Sequence, residues 1–331
     1  MSTPIVICDD SSLARKQMTM SLPTGWNVDI TFARDGAEGI DAIKAGRGDI
    51  LFLDLNMPVM DGYEVLEAIR AHDLPTLTIV VSGDIQPEAR QRVMSLGALE
   101  FIQKPVKSDV IAAILDKYGI RTESATTATT PVIEEEVDRF DGYREIANVA
   151  IGRAASLLAK LLDAFVKMPI PQINMIEAGE LLMTLDNLND GDKISAVCQG
   201  FIGAEIAGEA LLMFSDSSYS DIAELMKFEG EIDETTKVEL LMDISSIVVG
   251  ACLKGLTEQL EIEISQGHPI VIGQHIAIKD LIQKGASRWA RTLAIEMVCN
   301  IENRNIDCAL LLLFTEDSIV ALDQRIALLM D

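Results

Sequence analysis

Aromatic side chains are scarce in this chain, 5% of 331 residues against 49% hydrophobic, so any core it builds must be aliphatic. Positive charge is scarce as well. Lys and Arg number 27 against 52 Asp and Glu, a formal net charge of −25. Nucleic acid and anionic membrane surfaces both attract a positive field, so this balance argues against those partners and for ones that carry basic patches. No run of 18 uninterrupted apolar residues occurs, and no membrane insertion is expected. Asp9 and Asp10 come too early for a secretory signal. Histidine is limited to His72, His268 and His275, too dispersed for a His-based metal site. The five cysteines (Cys8, Cys198, Cys252, Cys299, Cys308) lack metal-ligand spacing and lie mostly in apolar runs, which reads as buried, reduced thiols in a cytoplasmic protein.

What is present is an ordered set of polar residues, each closing an apolar run. Ile5-Val6-Ile7-Cys8 leads into Asp9-Asp10, Ile50-Leu51-Phe52-Leu53 into Asp54, and two later strand-like stretches end at Ser82 and Lys104-Pro105. Three carboxylates gathered at one sheet edge resist full ionisation unless a hard cation sits among them. Mg²⁺ suits that role, because it takes oxygen ligands and keeps waters and phosphate oxygens. Asp54 then reads as a nucleophile that forms an aspartyl-phosphate, with Asp9 and Asp10 holding the metal. Lys104 supplies a compact positive charge for phosphoryl oxygens, and the Ser82 hydroxyl another donor.

Strand-like runs near 4–9, 27–32, 49–54, 77–82 and 99–102 alternate with helical patterns such as Ser12–Leu22, Ala37–Ala45, Gly62–Ala71 and Pro87–Leu96. Alternation of this kind predicts an α/β domain with a parallel sheet covered on both faces. Ligands bind such sheets outside the carboxyl ends of the strands, where all five polar residues fall. Residues 1–121, including Asp54-Leu55-Asn56-Met57-Pro58-Val59-Met60-Asp61-Gly62, resemble a response-regulator receiver domain. The resemblance implies a flavodoxin-like (βα)5 fold with strand order 2-1-3-4-5 and a histidine kinase or other phosphodonor as partner. It further implies a metal contact from the Asn56 backbone and a switching aromatic at Phe101.

Residues 122–138, rich in Thr, Ala and Glu without apolar periodicity, read as a flexible linker. Residues 139–331 then repeat themselves, about 139–228 and 236–331. Glu145 and Asp243, Asn148 and Ser246, and Pro171 and Pro269 are each 98 positions apart, and Ala210–Phe214 matches Leu310–Phe314 at an offset of 100. A helix, two strands and a helix, repeated once, predict an α/β domain with a pseudo-two-fold axis.

Asp141, Glu145 and Asn148 lie at i, i+4 and i+7 on one helix face, with Pro171 following 23 positions later. This pattern resembles the CheC/CheX/FliY-type chemotaxis phosphatases (Asp/Ser-x3-Glu-x2-Asn, then a distant Pro), which remove the phosphoryl group from a receiver. The resemblance implies that Asn148 orients the attacking water and Glu145 engages a receiver lysine, in cis Lys104, with Asp141 and Pro171 as supporting motif positions. An amide can both donate to and accept from water, and acyl-phosphate hydrolysis gains most from placing that water. The second copy departs from the pattern. Asp243 is shorter than Glu and Ser246 lacks the amide, so one live and one degenerate site are expected. The expected function is a two-component or chemotaxis regulator, phosphorylated on Asp54, whose output domain hydrolyses the aspartyl-phosphate of a free regulator or of its own receiver. The alternative is a phosphorylation-controlled adaptor without turnover, binding for example a receptor deamidase.

Overall fold

A computed structural model describes residues 2–120, 139–177, 193–276 and 291–330. The expected linker at 122–138 lies outside the described residues. By internal contacts the chain divides into two compact units, Met1–Val149 and Ala150–Asp331. The division falls inside α6 (Arg139–Leu162), so the first three turns of that helix belong with the first unit.

In the first unit, β1 (Thr3–Cys8), β2 (Val28–Ala33), β3 (Ile50–Leu53), β4 (Leu77–Ser82) and β5 (Glu100–Gln103) form one sheet in the order β2-β1-β3-β4-β5. Every pairing is parallel. This is the order and direction expected from sequence. The runs are apolar because both faces are covered. Ile5, Ile7, Ile50, Phe52, Ile79 and Ile102 pack with residues of α1 (Ser12–Met20) and α5 (Ser108–Lys117). The alternate residues Val6, Cys8, Leu51, Leu53 and Val80 pack with residues of α2 (Gly36–Lys44), α3 (Gly62–Ala71) and α4 (Pro87–Ser95). Local chemistry starts these helices where it should. Ser11 caps α1, Asp35 caps α2, and Asp61 with Glu64 forms a capping box on α3.

The second unit is built on a mixed-length antiparallel sheet in the order β10-β8-β9-β13-β12-β6. Its long strands are β8 (Ile194–Gly203), β9 (Ile206–Ser215), β12 (Arg291–Ile301) and β13 (Asp307–Phe314). At its centre Leu211 pairs with Leu311, residues equivalent at the 100-residue offset, so the pseudo-two-fold axis passes between them. Each repeat adds two more strands than the pattern suggested: β6 (Val166–Lys167) and β7 (Gln172–Glu177) in the first, β10 (Ser265–Gln266) and β11 (Ile270–Ile276) in the second. The two-residue strands β6 and β10 are too short to show periodicity, whereas β7 and β11 are long enough and were missed by the sequence reading. The repeats exchange these strands, since β6 and β7 pair with β12 whereas β10 and β11 pair with β8.

Helices α7 (Tyr219–Leu225), α8 (Glu234–Leu260) and α9 (Glu316–Met330), with a short 3-10 turn at Asp216–Ser218, complete the described elements. Helix α8 is long and apolar enough to cross a membrane by composition. Its Leu240, Leu241, Ile244, Val248, Val249 and Leu256 are instead buried within the unit, as in a core helix. Gly255 of α8 meets Ala150 of α6 so closely that an added Cβ would stand 2.2 Å from the Ala150 carbonyl oxygen.

Candidate active site

Parallel strands deliver their side chains at the carboxyl edge, and the ladder runs one step past the strand ends. Asp54 N donates to Cys8 O at 2.9 Å and Lys104 N to Ser82 O at 3.0 Å, which brings Asp9, Asp54, Ser82 and Lys104 to one rim. The turn after Asp54 is tight enough to demand glycine at 62, where a Cβ would lie 2.3 Å from the Asp54 carbonyl oxygen. Backbone donors orient the acids: Asn56 N donates to Asp54 Oδ2 at 2.7 Å, and Ser11 N to Asp9 Oδ1 at 3.0 Å. Arg15, itself buried, donates from Nη1 to Asp9 O at 2.8 Å and ties the acidic loop to α1. The bond between Lys104 and Pro105 is cis.

The Lys104 ammonium is the hub of the site. Its Nζ lies 2.7 Å from Asp9 Oδ2, 3.2 Å from Asp54 Oδ1 and 3.3 Å from Glu145 Oε1. Glu145 comes from the first turns of α6, and only 4% of it is exposed. On the same helix face, Asp141 accepts a hydrogen bond from Ser12 Oγ and pairs with Arg144 Nη1 at 2.7 Å. Asn148 is 7% exposed, and its Oδ1 is buried without a hydrogen-bond partner among the described residues. The backbone at Asn148 and Val149 abuts Gly83, next to Ser82; a Cβ there would meet Val149 Cα at 3.0 Å and Asn148 O at 3.2 Å.

The charges do not balance. Four carboxylates (Asp9, Asp10, Asp54, Glu145) surround one buried ammonium. Burial pushes the Asp54 carboxyl well above the usual range; Lys104 opposes that shift and Asp9 reinforces it. Burial likewise raises Glu145, again against the pull of Lys104. Asp10 is pushed up to about 7, by burial first and by the neighbouring Asp9 second. For Lys104, burial favours loss of the proton, but Asp54, Asp9 and Glu145 together hold it well above the ordinary lysine value. The cluster therefore retains excess acid that a proton or a cation would stabilise.

Mg²⁺ fits that excess in chemistry and in number of donors. Among the described residues no three Asp, Glu, His or Cys side chains by themselves form a metal cage. Mg²⁺ does not require one, since it is commonly held by one or two carboxylates with waters and phosphate oxygens. Asp10 Oδ1, beside Asp9, is buried without a hydrogen-bond partner among the described residues. An orphaned carboxylate oxygen of that kind is costly unless a proton or cation meets it. Asp9, Asp10, Asp54 and the Asn56 carbonyl are all hard oxygen donors.

The remaining expected residues divide by unit. Ser82 is fully buried, and its Oγ accepts from Asp84 N at 3.1 Å. Phe101 is partly buried against the α2/α3 side of the core. In the second unit, Pro171 is buried immediately before β7, and Pro269 stands at the equivalent place before β11. Asp243 and Ser246 on α8 are exposed, and the Ser246 hydroxyl is turned back to its own helix, donating to Met242 O at 2.9 Å. Ser12, Arg15, Gly83 and Arg144 escaped the sequence reading as site residues. None has a motif signature; Ser12 and Arg144 enter through Asp141, Arg15 through Asp9 and Gly83 through the α6 backbone.

A five-stranded parallel sheet with helices on both faces and this rim of acids, lysine and hydroxyl at its carboxyl edge defines a flavodoxin-like α/β domain. Residues 5–116 match the model of the response regulator receiver domain, and this part of the chain is a receiver domain of two-component signalling. Among curated relatives, the chain is 32% identical over 166 residues to a protein-glutamate methylesterase/protein-glutamine glutaminase of Geobacter sulfurreducens. That alignment covers 49% of this chain and 43% of the relative. A protein of the same name from Clostridium acetobutylicum is 28% identical over 57% of this chain and 60% of its own length. The chain thus spans about half the length of these relatives. The signal receiver domain of NarL from Mycobacterium tuberculosis superposes with a TM-score of 0.34 at 31% identity, covering 36% of this chain and 98% of that one.

Proposed function

We propose that Asp54 accepts a phosphoryl group and that the α6 face carrying Glu145 and Asn148 hydrolyses the aspartyl-phosphate of a receiver, in a chemotaxis-type cytoplasmic circuit. The observation that carries this reading is the convergence of Glu145 on Lys104 at 3.3 Å with the unpartnered Asn148 amide oxygen one helical turn further on.

The residues divide the work as follows. Asp54, oriented by Asn56 N, attacks the phosphorus of a donor, the bond from phosphorus to the donor breaks and the dephosphorylated donor leaves, and the phosphoryl group is held as an acyl phosphate. Asp9, Asp10, Asp54 and the Asn56 carbonyl would hold Mg²⁺, which supplies charge neutralisation at the phosphoryl oxygens when bound. Lys104 neutralises further oxygens, and Glu145 keeps that ammonium in position. In hydrolysis a water oxygen attacks phosphorus, the bond from phosphorus to the Asp54 oxygen breaks, and Asp54 leaves as a carboxylate with inorganic phosphate as co-product. Asn148 aligns the water, its Oδ1 accepting one of the water's protons in a hydrogen bond. Ser82 and Phe101 read the phosphorylated state at β4 and β5.

The second copy has no equivalent chemistry. Its hydroxyl is committed to Met242 and its shorter acid faces solvent. The methyl-ester and glutamine hydrolysis in the relatives' names belongs to those proteins, and the described second unit offers no observation that transfers it here.

The test is the decay of phosphoprotein after loading with a small acyl-phosphate donor and removing the donor. Asn148→Ala should slow decay by about 10²-fold, the scale of removing one preorganised catalytic hydrogen-bonding group. Equal decay in variant and parent would reject the phosphatase reading.

A further inference from the structure

The first copy of the helix has a second point of attachment that the catalytic pair does not explain. Asp141 lies one turn before Glu145, and both of its carboxylate oxygens are engaged: Oδ2 by the Ser12 hydroxyl and Oδ1 by Arg144 Nη1 at 2.7 Å. Ser12 is the first residue of α1, two positions beyond Asp10, and is buried. A hydrogen bond to an ionised acceptor is about twice as strong as a neutral one. The opposite end of the contact is shape alone, the Asn148–Val149 backbone resting on Gly83, where even a methyl group is crowded. Three points therefore set the register of the helix on the phosphoacceptor rim: Ser12 with Asp141, Lys104 with Glu145, and Gly83 with Asn148.

Only the first copy can do this. At the matching offset α8 carries Glu239, which is exposed, in place of Asp141, and Met242 in place of Arg144. A lysine at the end of β5 is what the catalytic pair requires of a substrate. A hydroxyl at position 12 and a glycine at position 83 are additional demands, and residues 1–120 of this chain meet both.

Resting on the phosphatase reading above, the geometry points to Ser12, Asp141 and Arg144 as a latch that selects the chain's own receiver as the preferred substrate of Asn148. Dephosphorylation is then intramolecular. Ser12 and Asp141 are positioning residues that act by holding Asn148 over the acyl phosphate.

The experiment follows decay of the phosphorylated fraction in full-length chains. Wild-type decay should be first order and independent of protein concentration. Ser12→Ala and Asp141→Ala should each slow it about tenfold, the scale of one charge-assisted hydrogen bond. The double variant should be no slower than the slower single, and Ser12→Thr should recover most of the rate. A merely destabilising role would give additive losses. In the intermolecular arm, an Asp54→Asn chain, which cannot be phosphorylated, is mixed with phosphorylated Asn148→Ala chain and should accelerate its decay only weakly.

The outcomes separate the two readings. If Asn148→Ala is slow while Ser12→Ala and Asp141→Ala decay like wild type, the latch is wrong and the phosphatase stands. If the mixed chains decay as fast as wild type, or wild-type decay speeds up with protein concentration, the intramolecular preference is overturned. If Asn148→Ala decays like wild type, the phosphatase itself falls.

Discussion

Two helices of one repeat have met different fates. On α6, Glu145 and Asn148 are 4% and 7% exposed, in a neighbourhood of four carboxylates and one ammonium. On α8, at the same position in the repeat, Asp243 and Ser246 face solvent, and the hydroxyl is satisfied by Met242 O. Burial without complete satisfaction costs free energy. The first copy retains that cost at Asn148 Oδ1 and the second avoids it. Asn148 thus keeps one unmet acceptor oxygen beside a charged rim, whereas the back-bonded Ser246 is an ordinary helix-surface residue.

The contrast can be broken hardest at Lys104. Replacing it with Met leaves Asp9, Asp54 and Glu145 without their common cation, and removing one partner of a buried pair costs about 3–5 kcal/mol. Chemical denaturation without Mg²⁺ should show that loss, and added Mg²⁺ should restore part of it. A lysine worth less than about 1 kcal/mol would mean that the acids are protonated rather than paired.

A smaller effect should come from transplanting the chemistry. Ser246→Ala alone should leave phosphoprotein decay unaltered, whereas Asn148→Ala slows it about 10²-fold. Asp243→Glu with Ser246→Asn rebuilds the acid–amide pair on an exposed face. In an Asn148→Ala background it should add a decay component proportional to protein concentration, because an exposed pair can act only on another molecule. Absence of that component would show that the latch, not the pair, limits activity.

Glu145→Gln sharpens the electrostatic side. Burial and Asp9 disfavour the Glu145 charge, so removing it from an over-acid cluster should raise stability without Mg²⁺, as read by chemical denaturation. It should at the same time slow phosphoprotein decay. Lower stability in the metal-free protein would show that the Glu145–Lys104 pair outweighs the crowding of acids.

The smallest effect lies away from the site. A hydrogen bond from Lys117 Nζ at 2.7 Å, with further help from Phe101 N and Arg90, holds the Glu100 carboxyl below its usual range. Its stabilisation is complete above the unfolded value, about 4.3, and is lost as pH falls through the lower folded value. Its partners are more than half exposed, so Glu100→Gln should cost under about 1 kcal/mol at pH 7. The difference from wild type should vanish in acid, as read by thermal unfolding across pH.

Much of the first unit was legible because a parallel sheet writes itself into sequence as apolar runs ending in polar residues. Ile50–Leu53 before Asp54 is both a strand and a pointer to its own rim. The repeat was legible from offsets such as Leu211 against Leu311, which turn out to pair directly. Less legible was anything that depends on two distant surfaces meeting. Ser12 reads as the opening of a helix, Arg144 as one charge among many, and Gly83 as a loop residue. Ser12 and Gly83 matter through contacts with α6 that are remote in the chain, and Arg144 matters through Asp141. The exchanged strands β6 and β10 were invisible for a different reason: two residues are too few to show alternation.

The strand exchange limits how this molecule can simplify. The sheet neighbours of β8 include a ribbon from the other repeat, and those of β12 include its counterpart. Each repeat is thus the scaffold on which the other closes its edge. Side chains on one copy can change freely, but excision of that copy would unzip both.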